Sequence, residues 1–290
     1  GYLPADANLQ TGGFVRPVPG DPLTDFETFL AEALPPLGLA PAALVRRNIR
    51  RRVMRRMESL DIHEFSSYLL FLNRNPSEWD VLRPLFAVTI SRFFRNRPVF
   101  DALSRHVLAP LAEKGTPVFA WSAGCASGEE AFTLRILWEE LPGRKPPMSI
   151  LATDVAGACL QRAREGLYPE SSLREVPRPI VERHFRKEEG RFRLREDVVR
   201  SVTFRDHDLM GNPPSGEFHL VLCRNAAFTY FAVPLRVPVA GAIASVLSPG
   251  GFLVIGRTET LPLEASAWFA PIYPPLNIFR CLKAKIAPIP

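Results

Sequence analysis

The sequence has 290 residues, 47% of them hydrophobic and 23% charged, with a formal net charge of +6. This balance belongs to a globular chain long enough for one large domain beside a smaller one, and it excludes a disordered or fibrous protein. No apolar run approaches the roughly 20 residues that span a bilayer, and no basic region followed by an apolar stretch opens the chain, so the expected location is the cytoplasm. The four cysteines, Cys125, Cys159, Cys223 and Cys281, have no CxxC spacing, and the five histidines are equally dispersed. Neither a disulfide framework nor a metal site is expected. The positive charge favours an acidic partner, which by charge alone is nucleic acid, a membrane surface or an acidic protein.

In chain order, residues 1–21 are rich in Pro and Gly without a hydrophobic period, which predicts a flexible tail. Residues 22–88 read as a small all-helical domain. Within it Val45, Ile49, Val53, Met57 and Leu60 recur at three- and four-residue steps, giving one apolar stripe. Arg46, Arg47, Arg50, Arg51, Arg52, Arg55 and Arg56 cover the rest of that helix. Further helices are expected around "HEFSSYLLFL" and "SEWDVLRPLFAV". From about Thr116 strands and helices alternate: "PVFAWSA" strand, "GEEAFTLRILWEEL" helix, "MSILATD" strand, "GACLQRARE" helix, "FHLVLCRN" strand, a helix through "PLRVPVAGAIASVL", the turn "SPGG" and the strand "FLVIG". This pattern predicts a doubly wound α/β sheet in residues 89–290, with ligands outside the carboxyl ends of the strands. An interruption at about 166–203 carries "GRFRLREDVVRSVTF", which reads as an inserted hairpin.

The stretch "WSAGCASGEE" turns on Gly124 and Gly128 and runs at once into Glu129 and Glu130. A strand, glycine turn and helix suit a nucleotide-like cofactor, yet the GxGxxG fingerprint is absent and a pyrophosphate would be repelled by Glu129. A sulfonium cation bearing an ammonium group would be attracted, which favours S-adenosylmethionine over a dinucleotide. Acids in a first helical turn also satisfy the helix dipole, with no ligand involved. Asp154 ends the second strand where an acid conventionally accepts ribose hydroxyls, and it would serve equally as a helix cap.

The stretches "FAVTISRFFRNRPVF", "WSAGCASGEEAFT", "LATDVAGACLQRARE", "CRNAAFTYF" and "LSPGGFLVIGRTE" occur in the order and spacing of the CheR-type protein-glutamate methyltransferases of bacterial chemotaxis. The resemblance extends over about residues 22–283. It implies a helical substrate-docking domain before a class I S-adenosylmethionine-dependent methyltransferase domain that carries a small β-subdomain. It further implies that Thr89, Ser91, Arg95, Gly124, Glu129, Asp154, Asp208, Leu209, Arg224 and Asn225 bind the cofactor. Arg95 and Tyr230 match the family's residues near the transferred methyl, and Arg46, Arg47, Arg50, Arg51 and Arg55 fall in its docking helix. The implied substrate is an acidic helical signalling protein, such as a chemoreceptor cytoplasmic domain, and nucleic acid becomes an unlikely partner.

A glutamate carboxylate is ionised at neutral pH, so its methylation needs orientation rather than a general base. The chain departs from the family pattern in three places. Four residues, Ala226 to Thr229, separate Asn225 from Tyr230 where the family usually has three; Asp208 replaces a common Asn; and "GRTE" replaces "GHSE". Three classes stay open at this level: a protein carboxyl methyltransferase, a methyltransferase for RNA or a small molecule, and a weakened S-adenosyl-binding regulator.

Overall fold

The computed structural model describes residues 22–282 apart from 42, 43, 45, 88 and 89. The expected tail at 1–21, Val45 of the apolar stripe and Thr89 lie outside the described residues. Four helices come first: α1 (Pro22–Leu37), α2 (Arg46–Ser59), α3 (Phe65–Arg74) and α4 (Glu78–Leu82), the last running into a 3-10 turn at Arg83–Phe86. They enclose a core of their own, in which Ile49, Val53 and Met57 of α2 meet Phe26, Phe29, Phe65 and Tyr68. Helix α2 forms because only its narrow apolar stripe is buried, leaving the long arginine stems to cover the flanks.

One polar network lies inside this small core. The Arg56 guanidinium donates to both oxygens of Glu78, at 2.8 and 2.7 Å, and the Tyr68 hydroxyl donates to the same carboxylate at 2.7 Å. Hydrogen bonding from Arg56 holds the Glu78 carboxyl below its usual range, while burial pushes the Tyr68 hydroxyl up.

The rest of the chain winds around a seven-stranded sheet. Its strands are β1 (Val118–Ala123), β2 (Met148–Asp154), β6 (Val202–Asp206), β7 (Phe218–Cys223), β8 (Leu247–Ile255), β9 (Phe269–Tyr273) and β10 (Ile278–Cys281), in the order β6-β2-β1-β7-β8-β10-β9. All neighbours pair in parallel except β10, which runs antiparallel to β8 and β9. Both faces are covered, so the central strands are largely apolar: Ala120 and Ile150 face one core while Trp121, Val221 and Cys223 face the other. The residues Ser248–Gly251 loop out of β8, since Phe218 pairs with Leu247 and Leu220 with Phe252.

Helices α5 (Arg97–Leu103) and α6 (Ala109–Glu113), joined by a π turn, and α7 (Glu129–Glu140) and α8 (Gly157–Glu165) pack on the sheet, as does α12 (Val233–Val246) behind the one-turn α11 (Ala227–Tyr230). The insertion is larger than a hairpin. Strands β3 (Leu167–Pro169), β4 (Phe185–Glu188) and β5 (Arg191–Leu194) form a separate antiparallel sheet in the order β3-β5-β4, with α9 (Arg178–His184) between β3 and β4 and α10 (Glu196–Arg200) after β5. The hairpin expected within 190–204 is corrected accordingly. The hairpin turns at Glu189 and Gly190, both at positive φ, whereas "VTFRD" leaves for the edge of the main sheet beside β2.

The helical unit and the sheet meet at one seam. Ala40 N–H donates to the Tyr230 carbonyl at 2.7 Å, Ala232 N–H donates to the Gly38 carbonyl at 2.9 Å, and Leu39 bridges Phe231.

The Arg56–Glu78 pair generates a stability prediction. Its carboxyl is lowered on folding, so the stabilisation is present above the ordinary carboxylate pKa near 4.3 and is lost as pH falls through the folded value. Arg56→Met leaves a buried carboxylate uncompensated and should cost about 3 kcal/mol at pH 7 in urea unfolding, with the deficit shrinking in acid. A pH-independent deficit would mean the loss is packing alone.

Candidate active site

In an open parallel sheet the loops diverge where the strand order reverses, leaving a crevice at the carboxyl ends. Here the chain moves outward from β1 through β2 to β6, then returns to β7 on the other side of β1. A cleft lies at that reversal. Its larger lobe has about 680 Å³ of non-atom space, partly open to solvent, and is lined by Gly124, Asp154, Asp208, Leu209, Asn225 and Tyr230 among others. A smaller lobe is lined by Ser91, Arg95, Gly124, Glu130, Arg224 and Asn225. Gly124 and Asn225 border both, so the lobes adjoin.

The loop after β1 is tied to β2. Gly124 and Cys125 N–H both donate to the Thr153 carbonyl, at 2.8 and 2.9 Å, and Ala126 N–H donates to Asp154 Oδ2 at 2.8 Å. Asp154 Oδ1 accepts from Ala156 N–H at 2.9 Å, so the acid caps its own turn and clamps the glycine loop together. Burial pushes its carboxyl up against those donors. Gly124 sits at φ +79°, and an added Cβ would stand 2.7 Å from the Ala226 Cβ, so backbone rather than side chain forms the cleft floor.

The two acids that follow part company. Glu129 is 4% exposed and lines neither lobe; it lies by Ser91, its Oε1 is 3.5 Å from the Ser172 hydroxyl, and its Oε2 is enclosed without a partner. Glu130 lines the smaller lobe, accepting from the Ser122 hydroxyl at 2.8 Å and from Arg224 at 3.2 Å. Burial raises both carboxyls, and for Glu130 the adjacent Arg224 opposes the rise.

Arg224 is itself 6% exposed, donates at 2.8 Å to the Arg95 carbonyl, and stacks on Phe100 at 4.9 Å. Much of its hydrogen-bonding capacity is therefore spent inside the protein, where it fixes Arg95. The Ser91–Arg95 segment has further anchors: Phe93 packs edge-on against Tyr168 and Phe185, and Phe94 N–H donates to Thr133 at 3.1 Å. Arg95 is left half-buried over the smaller lobe with its guanidinium toward the Ile90 carbonyl, 3.3 Å away.

On the opposite side, Asp208 accepts from Met210 N–H at 2.9 Å, and Leu209 packs on the apolar core beneath it. Tyr230 contacts both the sheet core and the helical core; burial raises its hydroxyl pKa while the Arg95 charge pulls it down.

Two groups that the motif reading passed over hold this site. Glu259, the acid of "GRTE", is 4% exposed and accepts from the N–H groups of Asn225 and Gly256 and from the Thr229 hydroxyl. Its signal was an acid placed just after an apolar strand. Tyr168 reaches from the inserted sheet to donate to the Ser127 carbonyl of the glycine loop at 2.7 Å; one aromatic in a short strand carried no such signal.

The docking arginines divide. Arg47, Arg51 and Arg55 are exposed along one face at four-residue steps, with no ion pair among the described residues. Arg46 is paired with Glu27 at 2.6 Å, which corrects its expected availability, and Arg50 is half-buried with its Nε enclosed. Arg52 donates to the carbonyl of Ala87, a cleft residue, at 2.8 Å, so α2 is attached to the cleft rim.

Glu259→Ala should lower stability by about 3 kcal/mol, because two buried backbone N–H groups lose their acceptor. Glu259→Gln should recover most of that, since the amide oxygen can accept from both while its nitrogen donates to Thr229. Thermal melting of the two variants tests this, and equal losses would contradict it.

Comparison with known proteins bears on the whole arrangement. Residues 89–275 match the family model described as CheR methyltransferase, SAM binding domain. An uncharacterized 104.1 kDa protein of Rhodobacter capsulatus is 30% identical over 247 residues, covering 83% of this chain and 26% of that protein. The chain thus spans about a quarter of that relative. A chemotaxis protein methyltransferase of Borreliella burgdorferi is 30% identical, covering 68% of this chain and 74% of its own. Chemotaxis protein methyltransferase 2 of Pseudomonas aeruginosa is 29% identical, covering 77% and 81% respectively. Among the described residues no helix is long and apolar enough to cross a membrane. A match across most of the α/β region, carried on this sheet order, assigns the chain to the CheR family of S-adenosylmethionine-dependent methyltransferases, with their class I α/β fold.

Proposed function

We propose that this chain methylates glutamate side chains of an acidic helical signalling protein in the cytoplasm, forming methyl esters, with a chemoreceptor-like domain as the substrate type. The observation that carries the reading is the meeting of Arg95 and Tyr230 on adjoining lobes of one cleft, attached through Ala87 to a helix with an unpaired arginine face. Two of the relatives bear the name of chemotaxis protein methyltransferase, which agrees with this substrate class.

The residues present fit the cofactor. Asp154 spends one acceptor site on each oxygen and keeps others for ribose hydroxyls, Gly124 leaves the floor open, and Asp208 with Leu209 offers an acceptor beside an apolar surface. Ser91, Arg224 and Asn225 would complete the surround, while Glu129, which lines neither lobe, would act from behind the Ser91 segment. When bound, S-adenosylmethionine supplies an electrophilic methyl group on a cationic sulfur.

The protein's own work is positional. The acceptor carboxylate, with an ordinary pKa near 4.3, arrives ionised, so no residue has to remove a proton. Arg95 can hold that carboxylate by charge-assisted hydrogen bonds, its backbone fixed by Arg224. Tyr230, a phenol with an ordinary pKa near 10 that burial raises, can donate a hydrogen bond. Glu130 would repel an incoming carboxylate were it unpaired; Arg224 compensates it. The face of Arg47, Arg51 and Arg55 would draw in an acidic helix, with an attraction that salt screens over about 8 Å.

Incubation with methyl-labelled S-adenosylmethionine and source-cell lysate should label a protein, and mild base should release the label; a base-stable mark, or one on RNA, would refute the reading. Arg95→Ala should lower kcat at least tenfold, by roughly 1.4 kcal/mol or more, with melting unchanged. Arg51→Glu with Arg55→Glu should raise KM about tenfold at low salt and leave cofactor affinity intact. Wild-type kinetics in that double variant would return the helix face to ordinary surface.

A further inference from the structure

Asp208 sits on the wall of the cleft's larger lobe, but the charge opposite it comes from the helical unit. Arg83 Nε is 3.5 Å from Asp208 Oδ2, and both side chains are about one-third exposed, at 27% and 34%. Arg83 does not depend on Asp208 for its position. Its Nη1 donates at 3.1 Å to the carbonyl of Leu37, the last residue of α1, where a cation also suits the helix dipole. Asp208 is fixed from the other side by Met210 N–H on Oδ1. The carboxylate is therefore held between its own loop and a guanidinium anchored on another unit of the protein.

We propose that Arg83 is a positioning and specificity residue: it holds the Asp208 carboxylate turned along the cleft wall, so that the base-recognition edge is completed by the helical unit. The inference rests on the proposed reading that the adenine ring of the cofactor lies against Asp208 and Leu209. A carboxylate accepts hydrogen bonds and cannot donate, so it matches the 6-amino group of adenine and opposes a 6-oxo purine, acceptor against acceptor. A neutral amide at 208 could rotate to satisfy either and would need no cation.

The test is calorimetric titration of the full chain with S-adenosylhomocysteine and with its 6-oxo analogue S-inosylhomocysteine. Wild type should prefer the amino compound by at least roughly fiftyfold. Arg83→Met should weaken S-adenosylhomocysteine roughly tenfold and narrow that preference, and Arg83→Lys should restore part of both. Asp208→Asn should narrow the preference by itself, and in that background Arg83→Met should change affinity less than about twofold. A purely structural role for Arg83 would weaken both ligands equally in both backgrounds, which would overturn the inference. So would an Arg83→Met variant that binds as wild type does. Failure of wild type to bind S-adenosylhomocysteine would instead overturn the cofactor reading, and the inference with it.

Discussion

A buried carboxylate must find partners or give up its charge, and the arrangement of this cleft follows from how its acids meet that demand. Glu130 in the first turn of α7 and Arg224 directly after β7 neutralise each other below the smaller lobe. Arg224 then has a donor left for the Arg95 carbonyl, so one ion pair sets the position of the residue nearest the proposed acceptor. Glu259 does the same for the loop after β7, binding it to the end of β8 through Asn225 and Gly256. Asp154 clamps the glycine loop to β2. The loops that form the cleft are tied together through these polar groups.

The same economy joins the two units of the protein. The cleft's larger lobe is walled partly by Leu39, Arg83 and Phe86 of the helical unit, and Tyr230 belongs to the packing of both cores. A ligand in that lobe would touch both units at once. The backbone bonds from Ala40 to Tyr230 and from Ala232 to Gly38 fix the seam at the point where the chain leaves the "CRN" loop. Between Asn225 and Tyr230 the chain makes a single helical turn, with Asn225 at φ +53°.

Much of this could be read from the sequence where local pattern governs structure. Continuous apolar runs ending in turns gave away β1, β2 and β7, and the acid at the end of β2 marked Asp154. Pattern failed where pairing is distant. Glu130 meets Arg224 across 94 residues, and Arg56 meets Glu78 across 22, so nothing local separates these engaged charges from Arg47, Arg51 and Arg55, which make no ion pair among the described residues. The strand at Val202–Asp206 was grouped with its sequence neighbours because an alternating segment does not reveal which sheet it joins; the parallel register with β2 decides that. Strands β9 and β10 went unread because Pro271, Pro274 and Pro275 interrupt their apolar runs. Glu259 gains its role only from three donors distant or turned back in the chain, at Asn225, Thr229 and Gly256.

The claim on which the account stands is that the cleft between β1 and β7 seats S-adenosylmethionine through Asp154. Calorimetry of wild type and Asp154→Ala with S-adenosylhomocysteine tests it most directly. The account predicts one site of roughly micromolar affinity in wild type, or about −8 kcal/mol, abolished in the variant while the fold is retained. Binding of NAD without either adenosyl compound, or an Asp154→Ala variant with wild-type affinity, would contradict it.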